Sequence, residues 1–332
     1  MKKVLFATTA LIATTGMAAA EVTFGGFGRF GLFYQEDNDA TPGNDETRIE
    51  QRFRLTATGT ATADNGLEFE GRIRWQTDDQ ANGNSNVADN SAAGFAVSTG
   101  GFRLDVGNVS DVIDSGDVVN YYGFGVGLTS FAEQSSAFNG IPASGFGVSS
   151  DDTEVLPTVK LRYTAGDFTV SASVTDGTTS QTAADATTTP ATPASAVERE
   201  EYQIGVGYNF GNYSVGAAFG NEEETDTITG VTLDNDFWAI SFDGEIGAFA
   251  FSILIGDSDT NDDTMYGFSV KYDVSDATEI RFAFSDNGTD ADDEVVAIGF
   301  RHGLGGGVSL RGGIGQNTDG NTVADLGVIF NF

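Results

Sequence analysis

Residues 67–77, LEFEGRIRWQT, place Leu67, Phe69, Ile73 and Trp75 on one side of an extended chain and Glu68, Glu70, Arg72 and Arg74 on the other. Side chains of a strand alternate between two faces, so the stretch reads as a strand with one apolar and one charged face. The same parity runs through its surroundings. Ile49, Phe53, Leu55 and Ala57 oppose Arg48, Glu50, Arg52, Arg54 and Thr56. Phe102, Leu104 and Val106 oppose Arg103 and Asp105, and Val159, Leu161 and Tyr163 oppose Lys160 and Arg162. Phe282 opposes Arg281, and Leu310 opposes Arg311. Arg29 breaks the pattern, because it shares parity with Phe27 and Phe33. A dry interior could not take so many charges, since each buried ion costs several kcal/mol unless paired. Lipid on the apolar face and water on the charged face satisfies both, and a charge turned toward mid-bilayer would cost about 2–4 kcal/mol.

Alternation of this kind recurs in sixteen segments, near 22–35, 48–62, 67–77, 94–99, 102–108, 157–166, 168–176, 199–210, 212–222, 235–243, 249–257, 263–274, 278–286, 293–302, 307–316 and 322–332. Most have the ~10 residues that a tilted strand needs to cross a bilayer. The connections alternate short and long. Asp64-Asn65-Gly66, Gly100-Gly101, Ala165-Gly166-Asp167, Gly211-Asn212, 244–248, 275–277 and the run Gly303 to Gly307 are turn sequences. The long connections are 36–47, 78–93, 109–156 and 177–198, and Pro42, Pro142, Pro157, Pro190 and Pro193 all fall in or beside them. A hydrogen-bonded ladder would not accept those prolines. An even strand count with short turns at one end and long loops at the other predicts an all-β fold: a transmembrane antiparallel up-and-down β-barrel of 16 strands.

The N-terminus predicts the compartment. Lys2 and Lys3, an apolar stretch from Val4 to about Met17 and then Ala18-Ala19-Ala20 form a cleavable signal peptide over 1–20. Its apolar core is shorter than the ~20 residues of a membrane-spanning helix. Residues 21–332 then make one barrel domain, of 332 − 20 = 312 residues. The signal holds two of the 16 basic residues and no acid, so the secreted part carries 16 − 2 = 14 bases against 49 acids, a net charge of 14 − 49 = −35. Such a chain has nothing to offer nucleic-acid phosphates. It has no cysteine, hence no disulfide or thiolate site. Glycine at 44 residues is about twice its usual share, which suits a barrel whose strands bend.

The chemistry of an enzyme is missing. His302 is the sole histidine, so an imidazole metal site is not expected, and no serine motif stands near it for a nucleophile–histidine pair. No cofactor is expected. The acid-rich loops at Glu222-Glu223-Glu224 and Asp257 to Asp263 have ligand chemistry for calcium but no EF-hand pattern, and read as solvated loops. Gly25-Gly26, Gly123-Phe124-Gly125 and Gly305-Gly306-Gly307 are not phosphate loops, because no helix follows them.

Several segments carry a resemblance. EVTFGGFGRFGLFYQ at 21–35, DNGLEF at 64–69, YTAGDFTVSASVTDG at 163–177, YNFGNYSVGAAFG at 208–220 and the closing TVADLGVIFNF at 322–332 resemble the α-proteobacterial general porins of the Rhodobacter type. The resemblance spans the chain after the signal and is most specific at its two ends and its turns. It implies an outer-membrane porin, a homotrimer of water-filled channels for passive diffusion of ions and small hydrophilic solutes. A substrate-selective channel on the same barrel is the alternative. It further implies that the third external loop, here 109–156, folds into the lumen and sets its acids against a basic cluster on the wall. GNVSDVIDSGDVVNYYGFG at 107–125 fits the start of such a loop, which carries over Asp111, Asp114 and Asp117 as its acids. Arg29, Arg48, Arg52, Arg54, Arg72, Arg74 and Arg103 are the matching pore-lining basic cluster. The same wall also offers Glu50, Glu68 and Glu70, which would satisfy those arginines locally. Phe332 has the parity of a lipid-facing residue and, by the resemblance, is also the C-terminal aromatic read by the barrel-assembly machinery.

Overall fold

A computed structural model describes residues 20–148, 155–182, 195–261, 263–289 and 294–332. The expected signal peptide up to residue 19, Asp151, Asp152 and Glu154 of the long loop, and Pro190 and Pro193 lie outside the described residues.

Alternating sequence becomes strand wherever it was expected. In chain order these are β1 (Glu21–Gln35), β2 (Thr47–Thr62), β3 (Glu68–Asp78), the two-residue β4 (Asp89–Asn90), β5 (Gly94–Thr99), β6 (Phe102–Gly107), β7 (Thr158–Ala165), β8 (Phe168–Thr182) and β9 (Ser195–Phe210). They continue with β10 (Tyr213–Asp226), β11 (Thr232–Ile246), β12 (Phe249–Ser258), β13 (Met265–Ser275), β14 (Thr278–Asp286), β15 (Val295–Gly305), β16 (Val308–Gln316) and β17 (Thr322–Asn331). Every pairing is antiparallel between chain neighbours, with β3 paired to β5 past the short β4. The sheet closes where β1 meets β17, from Phe27 opposite Asn331 to Gln35 opposite Val323. The result is a closed barrel of sixteen strands, counted without the two-residue β4. Closure leaves no open edge, which is the condition for a sheet to sit in lipid.

Several strands outrun expectation at the loop end: β11 already begins at Thr232, and β10 runs on to Asp226, so Glu222-Glu223-Glu224, read as a solvated loop, are strand, with Glu222 paired to Arg199. The β8–β9 ladder continues past Asp176 opposite Glu200 to Thr182 opposite Ser195, so much of the connection read as loop at 177–198 is strand. Thr178 and Thr179 there are β-branched and fit a pleated surface.

The outer face is apolar over the whole circumference. Phe24, Phe30, Ile49, Phe69, Ile204, Ile298 and Leu326 are all exposed there. Near the short turns, rings of Tyr208, Phe210, Tyr213 and Phe242 stack in sequence at 5.8–6.5 Å between centroids, with Phe251 tilted against Phe242 at 5.6 Å, part of an aromatic girdle. Phe332 belongs to this face and stacks on Phe53 at 5.5 Å.

Packed apolar core exists on the other face only, and one segment makes it. Residues 108–148, with the four-residue helix α1 (Val112–Ser115), press Val112, Ile113, Val119 and Tyr121 against Ala218, Phe237, Leu254 and Met265 of β10–β13. Val126, Ala132 and Ala137 do the same against Ala283, Val295 and Ala297 of β14–β15. The contact is close enough to need glycine on the wall. A Cβ on Gly216 would run into the Val118 carbonyl, and one on Gly267 into the Gln134 carbonyl.

Candidate functional site

The polar face collects all the positive charge. Each of the 14 lysines and arginines after residue 20 lies on a strand at the parity opposite the exposed apolar residues. Arg29 is no exception. In β1 the exposed residues are Phe24, Phe30 and Leu32, so Phe27, Arg29 and Phe33 share the polar face. The two rings have work there: the Arg48 guanidinium lies 4.0 Å over Phe33 and that of Arg54 5.1 Å over Phe27. Such stacking fixes a cation without neutralising it.

The seven arginines expected as a cluster are brought together on β1, β2, β3 and β6, but their partners differ. Arg29 meets Glu50 at 2.5 Å, Arg48 meets Asp79 at 2.8 Å, and Arg52 meets Asp78 at 2.5 Å. Arg103 is shared by Glu70 at 3.3 Å and Asp105 at 2.9 Å. Glu68 takes no arginine and accepts instead from Ser98. Arg54 donates only to Gln76, while Arg72 and Arg74 clamp the ring of Phe146 at 4.2 and 4.5 Å, Arg74 also donating to the Phe146 carbonyl. Among the described residues, then, Arg54, Arg72 and Arg74 carry charges that no carboxylate touches. Glu50, Asp78 and Asp79 bring their oxygens within 4.8 Å of one another, a spacing that could hold a metal ion, but three guanidiniums already meet them.

The three loop acids look alike in sequence and are placed differently. Asp111 is fully buried and accepts the N–H groups of Asp114 at 2.7 Å and Ser144 at 2.5 Å, joining the two ends of the segment. Burial pushes its carboxyl up to about 7. Asp117 accepts from Lys160 at 2.8 Å and Arg162 at 2.6 Å. Burial works against its charge, yet these two cations hold its carboxyl below the usual range. Asp114 accepts from the Tyr122 hydroxyl at 2.7 Å and stands within electrostatic reach of Arg74.

Sequence reading missed the hydroxyls that seat the segment. Its N–H groups donate in turn to the wall: Val112 to Ser173, Ile113 to Gln203, Asn120 to Ser241, Phe124 to Ser269 and Ala137 to Ser285. Leu128 and Thr129 both donate to the carboxylate of Asp325 on β17. The segment therefore has fixed contacts from β8 around to β17. The signal was available as serine at polar-face positions of strands, where charge was more frequent. Parity places Arg281 and Arg311 on the polar face, but does not show that they form a second group with Lys271 and Arg301 on β13–β16. His302 bonds the Thr278 hydroxyl at 2.8 Å.

Comparison with known proteins agrees with this geometry. A family model described as Gram-negative porin matches residues 7–322. The porin of Fuscovulum blasticum is 28% identical over 323 residues, covering 94% of this chain and all of that protein, and the porin of Rhodobacter capsulatus is 26% identical over 340 residues with the same coverage. A triple mutant of Rhodopseudomonas blastica porin has a similar structure, with a TM-score of 0.72 at 24% identity, over 94% of this chain and all of the other. The chain belongs to the Gram-negative porins, and is an outer-membrane β-barrel channel for passive diffusion rather than an enzyme.

Proposed function

We propose that the polar face encloses a water-filled lumen, that residues 108–148 narrow it, and that the narrow point has a weak preference for cations. The observation carrying this reading is the row of backbone hydrogen bonds from the segment to polar-face side chains of β8, β9, β11, β13, β14 and β17. Arg54, Arg72 and Arg74 supply unneutralised charge on the wall, and Asp114 is the loop acid left to oppose them. Opposed charges across a gap orient polar solutes and resist apolar ones, as charged rings do in other channels. The net charge of −35 after the signal, from 14 − 49, makes both mouths negative on average. A mouth of one sign concentrates the opposite ion, most strongly at low salt. Reversal potentials in a KCl gradient test the selectivity. Anion preference at low salt would contradict it.

The same reading covers export and assembly. Strand β1 begins at Glu21, the first residue left after the expected cleavage of 1–20. Phe332, on the lipid face, is the terminal aromatic available to the assembly machinery. A homotrimer is supported by the low side of the wall. Strands β5 and β6 have six residues each. At ~3.3 Å per residue and ~40° tilt they cover about 15 Å, short of the ~25 Å apolar band of such barrels. Phe95 and Phe102 are exposed there, and a neighbouring copy would cover them.

A further inference from the structure

The cations on β13–β16 are arranged in a way that the constriction does not explain. Lys271 stands directly opposite Arg281 across two strands, and Arg301 directly opposite Arg311. Like charges in facing positions destabilise a sheet. The acids nearby offset only part of this. Glu279 lies 2.6 Å from Arg281 and 3.9 Å from Arg301, and Asp273, itself exposed, lies 3.5 Å from Lys271. Glu133 of the loop is a charge neighbour of Arg301 but not a contact. Arg311 meets no carboxylate among the described residues and donates only to Ser309 at 3.1 Å. Arg301 donates one Nη to the Gly125 carbonyl at 3.2 Å, while its Nε has no hydrogen-bond partner.

Of these groups, Arg301, Arg311, Glu279 and Asp273 line a recess of about 590 Å³ at the short-turn end of the polar face. Its walls include Ser275, Thr278, Glu279, Arg301, Ser309 and Arg311, with the exposed Asp276 at the rim. Two guanidinium forks with unspent donors, flanked by hydroxyls, match the geometry of an oxyanion. We propose that the recess binds small dianionic oxyanions as they cross the turn-side half of the lumen, with Arg301 and Arg311 as the principal ligands. The proposal rests on the lumen being an open pore, and it names a solute class that the pore holds briefly rather than merely passes.

Sulfate is a suitable probe, since it stays a dianion throughout the working range. Single channels in symmetric KCl should lose conductance saturably as potassium sulfate replaces an equal ionic strength of KCl on the turn side. In R301Q/R311Q the half-blocking concentration should rise by about tenfold or more, the loss of at least one charge-assisted hydrogen bond. R311K, which keeps the charge but not the fork, should fall between. Because R311Q removes a like-charge pair, its thermal unfolding should be no lower than that of the original chain. An unchanged block in R301Q/R311Q, or no block in the original chain, would overturn the site while leaving the pore intact. A lowered unfolding temperature in R311Q would also overturn it, showing the facing arginines to be structural. Absence of KCl steps would instead sink the pore reading itself.

Discussion

Replacing Asp325 with alanine should free the loop tip without opening the barrel. Asp325 is 5% exposed, and its carboxylate accepts from the N–H of Leu128 at 2.8 Å, the N–H of Thr129 at 2.8 Å and the Thr129 hydroxyl at 2.9 Å. Hydrogen bonds to a charged acceptor contribute ~1.5–3 kcal/mol each, so losing the two backbone bonds costs about 3–6 kcal/mol locally. At ~1.4 kcal/mol per tenfold, the amides of Leu128 and Thr129 should exchange about 10²–10⁴ times faster. The ladder β16–β17 uses other atoms and should keep its protection. Asp325→Asn should have a smaller effect, because its carbonyl oxygen can still accept. Amide exchange read residue by residue, together with open-channel noise, tests this. Unchanged exchange at Leu128 and Thr129 would show that Asp325 does not hold the tip.

Other expectations concern charge, pH and assembly. Arg54→Ala with Arg74→Ala should shift the KCl reversal potential toward stronger cation preference, and Asp114→Asn should weaken it. A shift of both in one direction would mean that these charges do not face each other. Asp117→Asn should instead loosen the segment, since Lys160 and Arg162 lose their common partner, and the signature is faster exchange around residue 117. Asp111 and Glu133 are both pushed up to about 7 by burial, so the folded loop binds protons that the unfolded chain releases between about 4 and 7. Their contribution to stability is therefore full below about pH 4 and lost progressively as pH rises to about 7, and D111N/E133Q should flatten thermal stability over that window. Asp117, held below its usual range, acts oppositely and matters only on acidification below about 4. Native mass measurement in mild detergent should give three copies of the 312-residue chain, and a single copy would contradict the trimer.

Strand parity was legible because it is local. LEFEGRIRWQT and its neighbours place each residue on the correct face with no knowledge of partners, and β14 runs over the expected 278–286. Parity misled only in β1. Phe27 and Phe33 look lipid-facing, yet they sit under guanidiniums 27 and 15 positions away in sequence, Arg54 and Arg48. Glycine was misread in part for a similar reason. Gly216 and Gly267 are needed where the loop backbone touches the wall, not where a strand bends. The loop acids show the limit most clearly. Asp111, Asp114 and Asp117 lie three residues apart, and nothing local separates them. What separates them is Ser144, Tyr122 and Lys160, met only through the tertiary fold. The cations of β13–β16 do not read as a group because each stands alone on its strand, and only the register sets Arg301 against Arg311.

The central claim is that the polar face encloses continuous water. Single-channel recording of the purified protein in planar bilayers tests it most directly. The account predicts discrete, long-lived steps whose conductance rises in near proportion to KCl concentration and is nearly independent of voltage sign. A chain that inserts as a folded barrel yet carries no current would contradict it.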